Sequence, residues 1–473
     1  MSLFHSLGIG AEALFANRQG LDTTAHNIAN AQTEGYSRQR VDLYQREPLV
    51  RQGLIIGDGT YVGVISRAHD KHVEKQVNLA ASDAGFSKTR NDALLDLESI
   101  YNTQTGASLA EELNQFFAAV SELSRNPEEL SVRTAVKEQG ENLAAAFRRI
   151  DSELRRFKEG INEKVKISSY ETNQILTNIS HLNSQIAEKE VGPRNKANDL
   201  RDQRDLLLNK LSERMAINYY EDKDGMLTIH GPADTLLVDR NKAASISLSK
   251  NLENQGLYDV VIRDFENSGS RNVTHLLKEG TLASLIDVRD RVGEGLMANN
   301  NEMASTLVNQ FNAIHRDGFG LGDYSGKNGR NFFKTVGDIR FAAQNINLDD
   351  SIVNSTDSIA TSSLANTPGD NIIVNRLRAL DSTKIFGDGK ATLTEYYADY
   401  VGILGMESLR TKNLMDSDDI ILSDLRSRRE AISGVSLDEE AANLIRWQTA
   451  FTASSKVITT VDEMLETVLN LKR

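Results

Sequence analysis

The side chains of this sequence that could do chemistry are few. His69 and His72, in His69-Asp-Lys-His72, have the spacing of a metal-ligand pair, but no third or fourth ligand follows at useful spacing. The Gly318-Phe-Gly-Leu-Gly322 run looks like a phosphate loop only in its glycines. It follows a helical pattern instead of a strand, and no Gly-Lys-Ser/Thr comes after it, so a tight connection is expected. Asp388-Gly389 with Glu395 mimics the back half of a calcium loop, yet the first and third ligand positions would be Lys384 and Phe386, which cannot hold calcium. Arg426, Arg428 and Arg429 lie near Asp416, Asp418, Asp419 and Asp424 and read as a solvated helix face. His230, beside Gly231-Pro232, reads as a turn residue. Neither His-Glu-x-x-His nor Gly-x-Ser-x-Gly occurs, and there is no cysteine to serve as nucleophile, thiolate ligand or disulfide. Catalytic, cofactor-binding and metal residues are therefore expected to be absent.

What remains is apolar periodicity. Leu437, Leu444, Phe451, Ile458 and Leu465 recur every seven residues, and Trp447, Val461 and Val468 fill intermediate positions of the same stripe. A seven-residue repeat held this long favours a left-handed helical seam. Ser436 with Glu439 reads as a capping box. Asp438, Glu439 and Glu440 suit the positive end of the dipole, and Lys472 and Arg473 the other end. The start of the chain supplies a second helix, from Ser2 to about Asn30, with Leu7, Leu14, Leu21 and Ile28 also seven apart. Its intermediate positions, Gly10, Asn17 and Thr24, are small or polar. The stripes fit two arrangements: an intramolecular pair tying the ends together, or helices completed by neighbouring copies.

Length suggests two to four domains, and five prolines permit long helices. The net charge of −13 argues against nucleic acid and anionic membrane surfaces as partners. No stretch is apolar enough for membrane insertion, and the first residues lack the basic and apolar regions of a secretory signal. Gly35 can end the first helix. Val41, Leu43 and Leu54–Ile65, with the Gly57-Asp58-Gly59 turn, read as a hairpin. Helices follow over Ala68–Tyr101 and from Leu109 to Asn126-Pro127. The longest runs from near Leu130 to Lys189, its apolar phase interrupted only by Ser168 and Thr172 and ending at Gly192-Pro193. Further helices carry Leu200–Met215, Val292–Phe311, and the stripe Leu404, Leu414, Ile421, Leu425, Ile432 up to Gly434. Short strands fill Ile217 to about Phe265, a unit expected to hang on the bundle and carry little of its stability. Gly318 to about Leu377, rich in Gly, Asn, Asp and Ser, reads as surface elaboration.

The expected fold is mainly α with a β-rich insert. Residues 1–35 and 436–473 form a terminal coiled-coil helix pair, 36–216 and 275–435 a long antiparallel helical bundle, and 217–274 a small outer β domain.

Three stretches resemble the bacterial flagellar axial proteins, and among them the hook-associated protein 1 family. Asn27-Ile-Ala-Asn30 with Thr33, Gly35, Tyr36 and Arg38 is similar to the N-terminal signature of rod, hook and hook-associated proteins, with His26 where that signature often has Asn. Asp199-Leu-Arg-Asp-Gln-Arg-Asp-Leu-Leu-Leu208 and Leu285-Ile-Asp-Val-Arg-Asp290 resemble bundle segments of that family, as does Pro368-Gly-Asp-Asn371. Gly434-Val-Ser-Leu-Asp-Glu-Glu-Ala-Ala-Asn-Leu444 with Gln448, Phe451, Ala453 and Ser454 resembles its C-terminal signature. The resemblance implies a structural component joining hook to filament, self-assembled in a ring, with terminal helices in the inner tube and β domains outward. It further implies hook protein on one side, hook-associated protein 3 on the other, a cytoplasmic export chaperone, and export through the flagellar type III apparatus. The implied assembly interface comprises Leu7, Leu14, Leu21, Asn27, Ile28 and Asn30 at one end, and Leu437, Leu444, Trp447, Phe451, Ile458, Val461, Leu465 and Val468 at the other. The chain is short for that family, so an additional outer domain is expected to be absent or reduced. The alternatives are another flagellar axial protein, such as hook-associated protein 3 or a flagellin, and a secreted adhesin or enzyme on a helical stalk.

Overall fold

A computed structural model describes residues 3–51, 54–101, 108–192, 195–265, 269–324, 328–387 and 389–470. Ser2, Pro193, Asp388, Lys472 and Arg473, invoked above, lie outside the described residues.

Helix α1 spans Leu3–Ala29. A hairpin follows, β1 (Gln39–Gln45) pairing antiparallel with β4 (Thr60–Arg67), and β2 (Leu49–Arg51) with β3 (Leu54–Ile56) extending its tip. Gly59 has φ of 78°, and a Cβ there would meet Ile9 at 3.2 Å, so the turn presses against α1. Helix α2 (Lys71–Tyr101) starts at Asp70, whose carboxylate accepts the His72 and Val73 N–H groups. Helix α3 (Leu109–Arg125) is capped by Ser108.

Helix α4 runs without a break from Leu130 to Lys189, roughly 90 Å at 1.5 Å per residue. Its periodic residues Leu143, Phe147, Ile150, Leu154, Ile161, Val165, Ile175, Ile179 and Ile186 are buried. Ser168 and Thr172 are buried with them, because the Thr172 hydroxyl donates to the Ser168 carbonyl at 2.7 Å and so brings no unpaired group into the core. Helix α5 (Asn198–Arg214) packs back against α4 and α2.

The β insert is a four-stranded meander, β5 (Asn218–Glu221), β6 (Leu227–His230), β7 (Leu236–Asp239) and β8 (Lys242–Ala243). It continues as a three-stranded sheet of β9 (Ser245–Asn251), β10 (Leu257–Arg263) and β11 (Ser270–Asn272). These strands do not hang on the bundle. Leu227, Ile229, Val238, Ile246, Val260 and Ile262 belong to the same core as α4. Side chains of α4 stitch the strands down: the Asn173 amide bonds both backbone groups of Ile246, Asn183 donates to the Leu227 carbonyl, and Asn162 accepts from Tyr258 N.

Helix α6 (Gly280–Asp287) runs through a π-turn, Val288–Gly293, into α7 (Glu294–His315). The wider turn buries Arg289 fully. Its guanidinium forks onto Asp290 at 2.7 Å and reaches Asn162 Oδ1 and the Tyr258 carbonyl, tying β10 to α4.

The stretch from Gly318 to Leu377 is core, contrary to the expectation of a surface elaboration. It contains α8 (Ala342–Asn345), α9 (Asp350–Asn354) and α10 (Ile372–Ala379), and it buries Phe332, Phe333, Ile346, Ile352, Ile359 and Val374. Phe332 and Phe333 pack tilted or edge-on against Phe116 and Phe311 at centroid distances of 4.9 to 6.0 Å. The irregular backbone is satisfied by buried polar side chains of the bundle. Arg133 donates to the Pro127, Thr356 and Ile359 carbonyls, Asn312 bonds Phe332 and Phe333, and His315 sits between the Arg330 carbonyl and the Ala360 N–H. Such a segment has a surface composition but an interior position.

Helix α11 (Leu393–Ser433) opens with a capping box between Thr392 and Glu395, so Glu395 is a cap residue. It packs antiparallel on α2, and Leu404 is buried. Leu414, Ile421 and Ile432, expected inside the bundle, are instead about half exposed. Only the flank carrying Leu422 and Leu425 reaches Val77, Ala80 and Ala81 of α2. Helix α12 (Leu437–Asn470) ends the described chain alongside α1. The Ser436 cap is one-sided: its hydroxyl faces Glu439 N at 3.5 Å, while the Glu439 carboxylate turns to Arg38.

Candidate assembly interface

Helices α1 and α12 pair antiparallel within the chain. The close seam of α1 is its small side: Gly10, Gly20, Thr24 and Asn27 are buried, whereas Leu7, Leu14, Leu21 and Ile28 are half-buried at its edges. A Cβ at Gly20 would lie 2.4 Å from the Trp447 ring, and one at Gly10 would lie 3.0 Å from Ile458. Small residues thus let the large side chains of α12 lie flat across α1. Asn17 donates to Ser454 Oγ at 3.0 Å in the middle of the seam. Leu444, Trp447, Phe451, Ile458 and Leu465 are half-buried, Val461 is buried, and Leu437 and Val468 stay exposed.

At the Asn27 end the pair is locked by hydrogen bonds. Asn27 is 1% exposed and uses its whole amide: Nδ2 donates to the Gln39 carbonyl at 2.8 Å and to Glu440 Oε2 at 2.9 Å. Its Oδ1 accepts from Gln39 N at 2.9 Å and Tyr36 OH at 2.8 Å. Glu440, equally buried, also takes Arg38 Nε at 3.0 Å, and Arg38 reaches Glu439 and, through its N–H, the Ser433 carbonyl. Burial and the carboxylates of Asp199, Asp202 and Glu440 push the Tyr36 phenol well above its ordinary range, so it stays a donor. Asn30 closes the end of α1 by donating to the His26 carbonyl. Gly35, with φ of 79°, lies beyond the helix end and packs on Leu206.

The acidic and basic residues of α5 fix this node to the bundle. Asp202 accepts from Ser37 N and Arg67, Asp205 from Arg67, and Asp199 from the Gln39 amide. His26 Nε2 lies 3.3 Å from Asp199 and its ring meets Tyr36 edge-on, so histidine at this position keeps polar contact with α5. Arg201 forks onto Glu190. Burial opposes ionisation of Glu190, but Arg201 and the Ala197 N–H outweigh it and hold the carboxyl at about 2. Glu440, Tyr36, Gln39 and Gly20 are the interface residues that apolar periodicity misses. Their signal is a small residue ten positions after Gly10 and a carboxylate three after Leu437.

The other candidates resolve into structural parts. His69 faces Asp205 at 4.0 Å, and burial lowers its pKa; His72 is exposed. Gly320 N donates to Asp323 in a tight connection. His230 lies 2.9 Å from Asp234 at the end of β6, and Arg428 pairs with Asp424 on the surface of α11. Among the described residues no three His, Asp or Glu side chains gather to hold a metal ion, and no helix is long and apolar enough to cross a membrane.

The paired outer faces remain apolar and open. Phe4 and Phe15 on α1, and Ile445 and Met464 on α12, are each about half exposed or more.

Comparison with known proteins agrees with this arrangement. Residues 94–333, just over half of the chain, match the family described as the flagellar hook-associated protein FlgK helical domain. Residues 7–36 match the flagella basal body rod protein family, and 428–471 the flagellar basal body rod FlgEFG protein C-terminal family. The chain is 29% identical to flagellar hook-associated protein 1 of Bacillus subtilis (strain 168), over 99% of this chain and 98% of that protein. It is 23% identical to the protein of the same name from Salmonella typhimurium, over 97% and 98% of the two chains. The flagellar hook junction protein FlgK from Burkholderia pseudomallei shares the fold, with a TM-score of 0.66 at 13% identity, over 76% of this chain and all of that one. A helical domain of FlgK type, carried between two terminal segments of the rod-protein type that pair with each other, places this chain in the flagellar hook-associated protein FlgK family.

Proposed function

We propose that this chain is a structural, non-enzymatic component of the bacterial flagellum that joins hook to filament by self-assembly of its terminal helices. The observation that carries the reading is the α1–α12 pair, locked at Asn27 and Glu440 yet apolar on its outer face. An intramolecular pair that leaves Phe4, Phe15 and Ile445 in water is completed when copies pack side by side around a tube. The interface residues are those of the two stripes together with Asn27 and Asn30. The neighbours along the axis are hook protein on one side and hook-associated protein 3 on the other. The chain reaches this place through the flagellar type III apparatus with a cytoplasmic chaperone.

The test is deletion of the gene, with negative-stain imaging of the cell surface. Hooks that carry no filament, restored by the intact chain, are the expected result. Filaments of ordinary length on the deletion strain would overturn the proposal.

A further inference from the structure

Asn328-Gly329 is the one Asn-Gly step in the sequence. It lies where the connection after α7 turns back on itself. The chain leaves the helix at Arg316, and on its return Gly329 N donates to the Arg316 carbonyl at 3.0 Å. Next in the chain, Arg330 forks onto Asp323, and its carbonyl is held by the buried His315 at 2.9 Å. Asn328 and Gly329 themselves are exposed, at the border between a fixed core and solvent.

An asparagine amide is open to attack by the main-chain nitrogen of the next residue. That nitrogen gives its proton to solvent, the new N–Cγ bond closes a succinimide ring, and Nδ2 leaves with a proton as ammonia. Water then opens the ring at either carbonyl, giving aspartate or isoaspartate. Gly329 suits the attack: its φ of 95° is a region open to glycine, and nothing lies within 4 Å of where a Cβ would stand. Two other asparagines precede serine, whose Cβ crowds the attacking nitrogen. Of these, Asn183 is buried in α4 with its amide bonded to the Leu227 and Arg240 carbonyls, and Asn354 ends α9. The bond from Gly329 N to Arg316 acts against the reaction. Losing the proton forfeits that bond, and ring closure draws the nitrogen off the carbonyl. Reaction therefore passes through a local opening of the connection.

We propose that Asn328 is a self-modifying site, converting to aspartate and isoaspartate without an enzyme at a rate set by opening of the Gly329–Arg316 bond. Either product adds a carboxylate next to the Arg330–Asp323 pair, and isoaspartate also lengthens the main chain ahead of Gly329. The connection is therefore looser after modification than before. The reaction belongs to the single chain and stands apart from self-assembly.

The test follows the intact chain in mildly alkaline buffer, with and without denaturant, by peptide mass spectrometry, with isoaspartate counted by enzymatic methylation. Among all asparagine peptides, the one holding Asn328 should convert first, and several-fold faster in denaturant. Arg330→Gln leaves the carbonyl bond to His315 in place. With the circular dichroism of the parent, it should convert several-fold faster than the parent when folded and at the parent's rate when denatured. Asn328→Asp should speed amide exchange at Gly329 several-fold. Another asparagine converting first, or a folded rate equal to the denatured one, would overturn the proposal. So would an Arg330→Gln chain no faster than the parent together with unchanged Gly329 exchange in Asn328→Asp.

Discussion

Asn27→Asp tests the node that locks the terminal pair. The substitution keeps shape and both acceptor roles toward Gln39 N and Tyr36 OH. It removes both donors, to the Gln39 carbonyl at 2.8 Å and Glu440 Oε2 at 2.9 Å, and sets two carboxylates against each other. Leaving a buried acceptor unpaired costs about 1–3 kcal/mol. With two such losses and a like-charge contact partly offset by Arg38, the expected destabilisation is roughly 3–6 kcal/mol, a large share of a typical stability of about 5–15 kcal/mol. The new carboxyl is buried beside another, so its folded-state pKa is raised. The variant is then least defective at low pH, and its stability falls as pH rises through that folded pKa. Adding Glu440→Gln supplies an amide that can donate to the new carboxylate, so the double variant should recover at least about 1 kcal/mol over the sum of the singles. Denaturant unfolding gives the energies, and amide exchange in α1 and α12 locates the loss. An Asn27→Asp chain within about 1 kcal/mol of the parent, with unchanged exchange in both helices, would refute the reasoning.

Gly20→Ala should push α12 off α1 because the new Cβ falls 2.4 Å from the Trp447 ring, at a cost of about 1–3 kcal/mol; Trp447 is the single tryptophan, so its emission should shift to the red. Ile458→Asp, against Gly10, should leave the bundle's thermal transition in place by circular dichroism while abolishing filament growth, and loss of the whole transition would show one cooperative unit. Removing residues 217–265 should uncover Ile175, Ile179 and Ile186 of α4 at about 1.5–3 kcal/mol each and lower the melting temperature sharply; an unchanged melt would contradict the shared core. Burial lowers the His315 pKa to about 4. The unfolded chain therefore binds the extra proton first, and stability should fall by roughly 3 kcal/mol as pH drops from about 6.5 toward that value. His315→Gln should flatten this part of the pH–stability curve.

Helix α4 was legible because one apolar phase, broken only at Ser168 and Thr172, runs from a proline-marked start to a glycine, and the hairpin and short strands were legible from their turns. The Gly318–Leu377 stretch was not, because its buried backbone is satisfied from outside, by Arg133, Asn312 and His315, and no local pattern records that. The π-turn at Val288–Gly293 hides for the opposite reason: it shifts phase within a sequence that reads as plain helix. On α1 the leucine heptad was the visible signal, but close helix approach is set by Gly10 and Gly20, whose contribution is the absence of a side chain. On α11, apolar spacing alone cannot tell a stripe facing the bundle from one facing outward.

The N–H of Arg38 bonds the Ser433 carbonyl, and that contact puts the chain's two ends into a sequence of events. In the unfolded polypeptide Asn17 and Ser454 are 437 positions apart. Once α11 has docked on α2 and α5 has captured Ser37, the loop still to be closed shrinks to about forty residues, which lowers the closure entropy by roughly 2 kcal/mol. The terminal helices then find each other at an effective concentration that the bundle itself creates. A copy with a damaged bundle would present unpaired ends, so pairing of the termini reports that the rest of the subunit has finished folding.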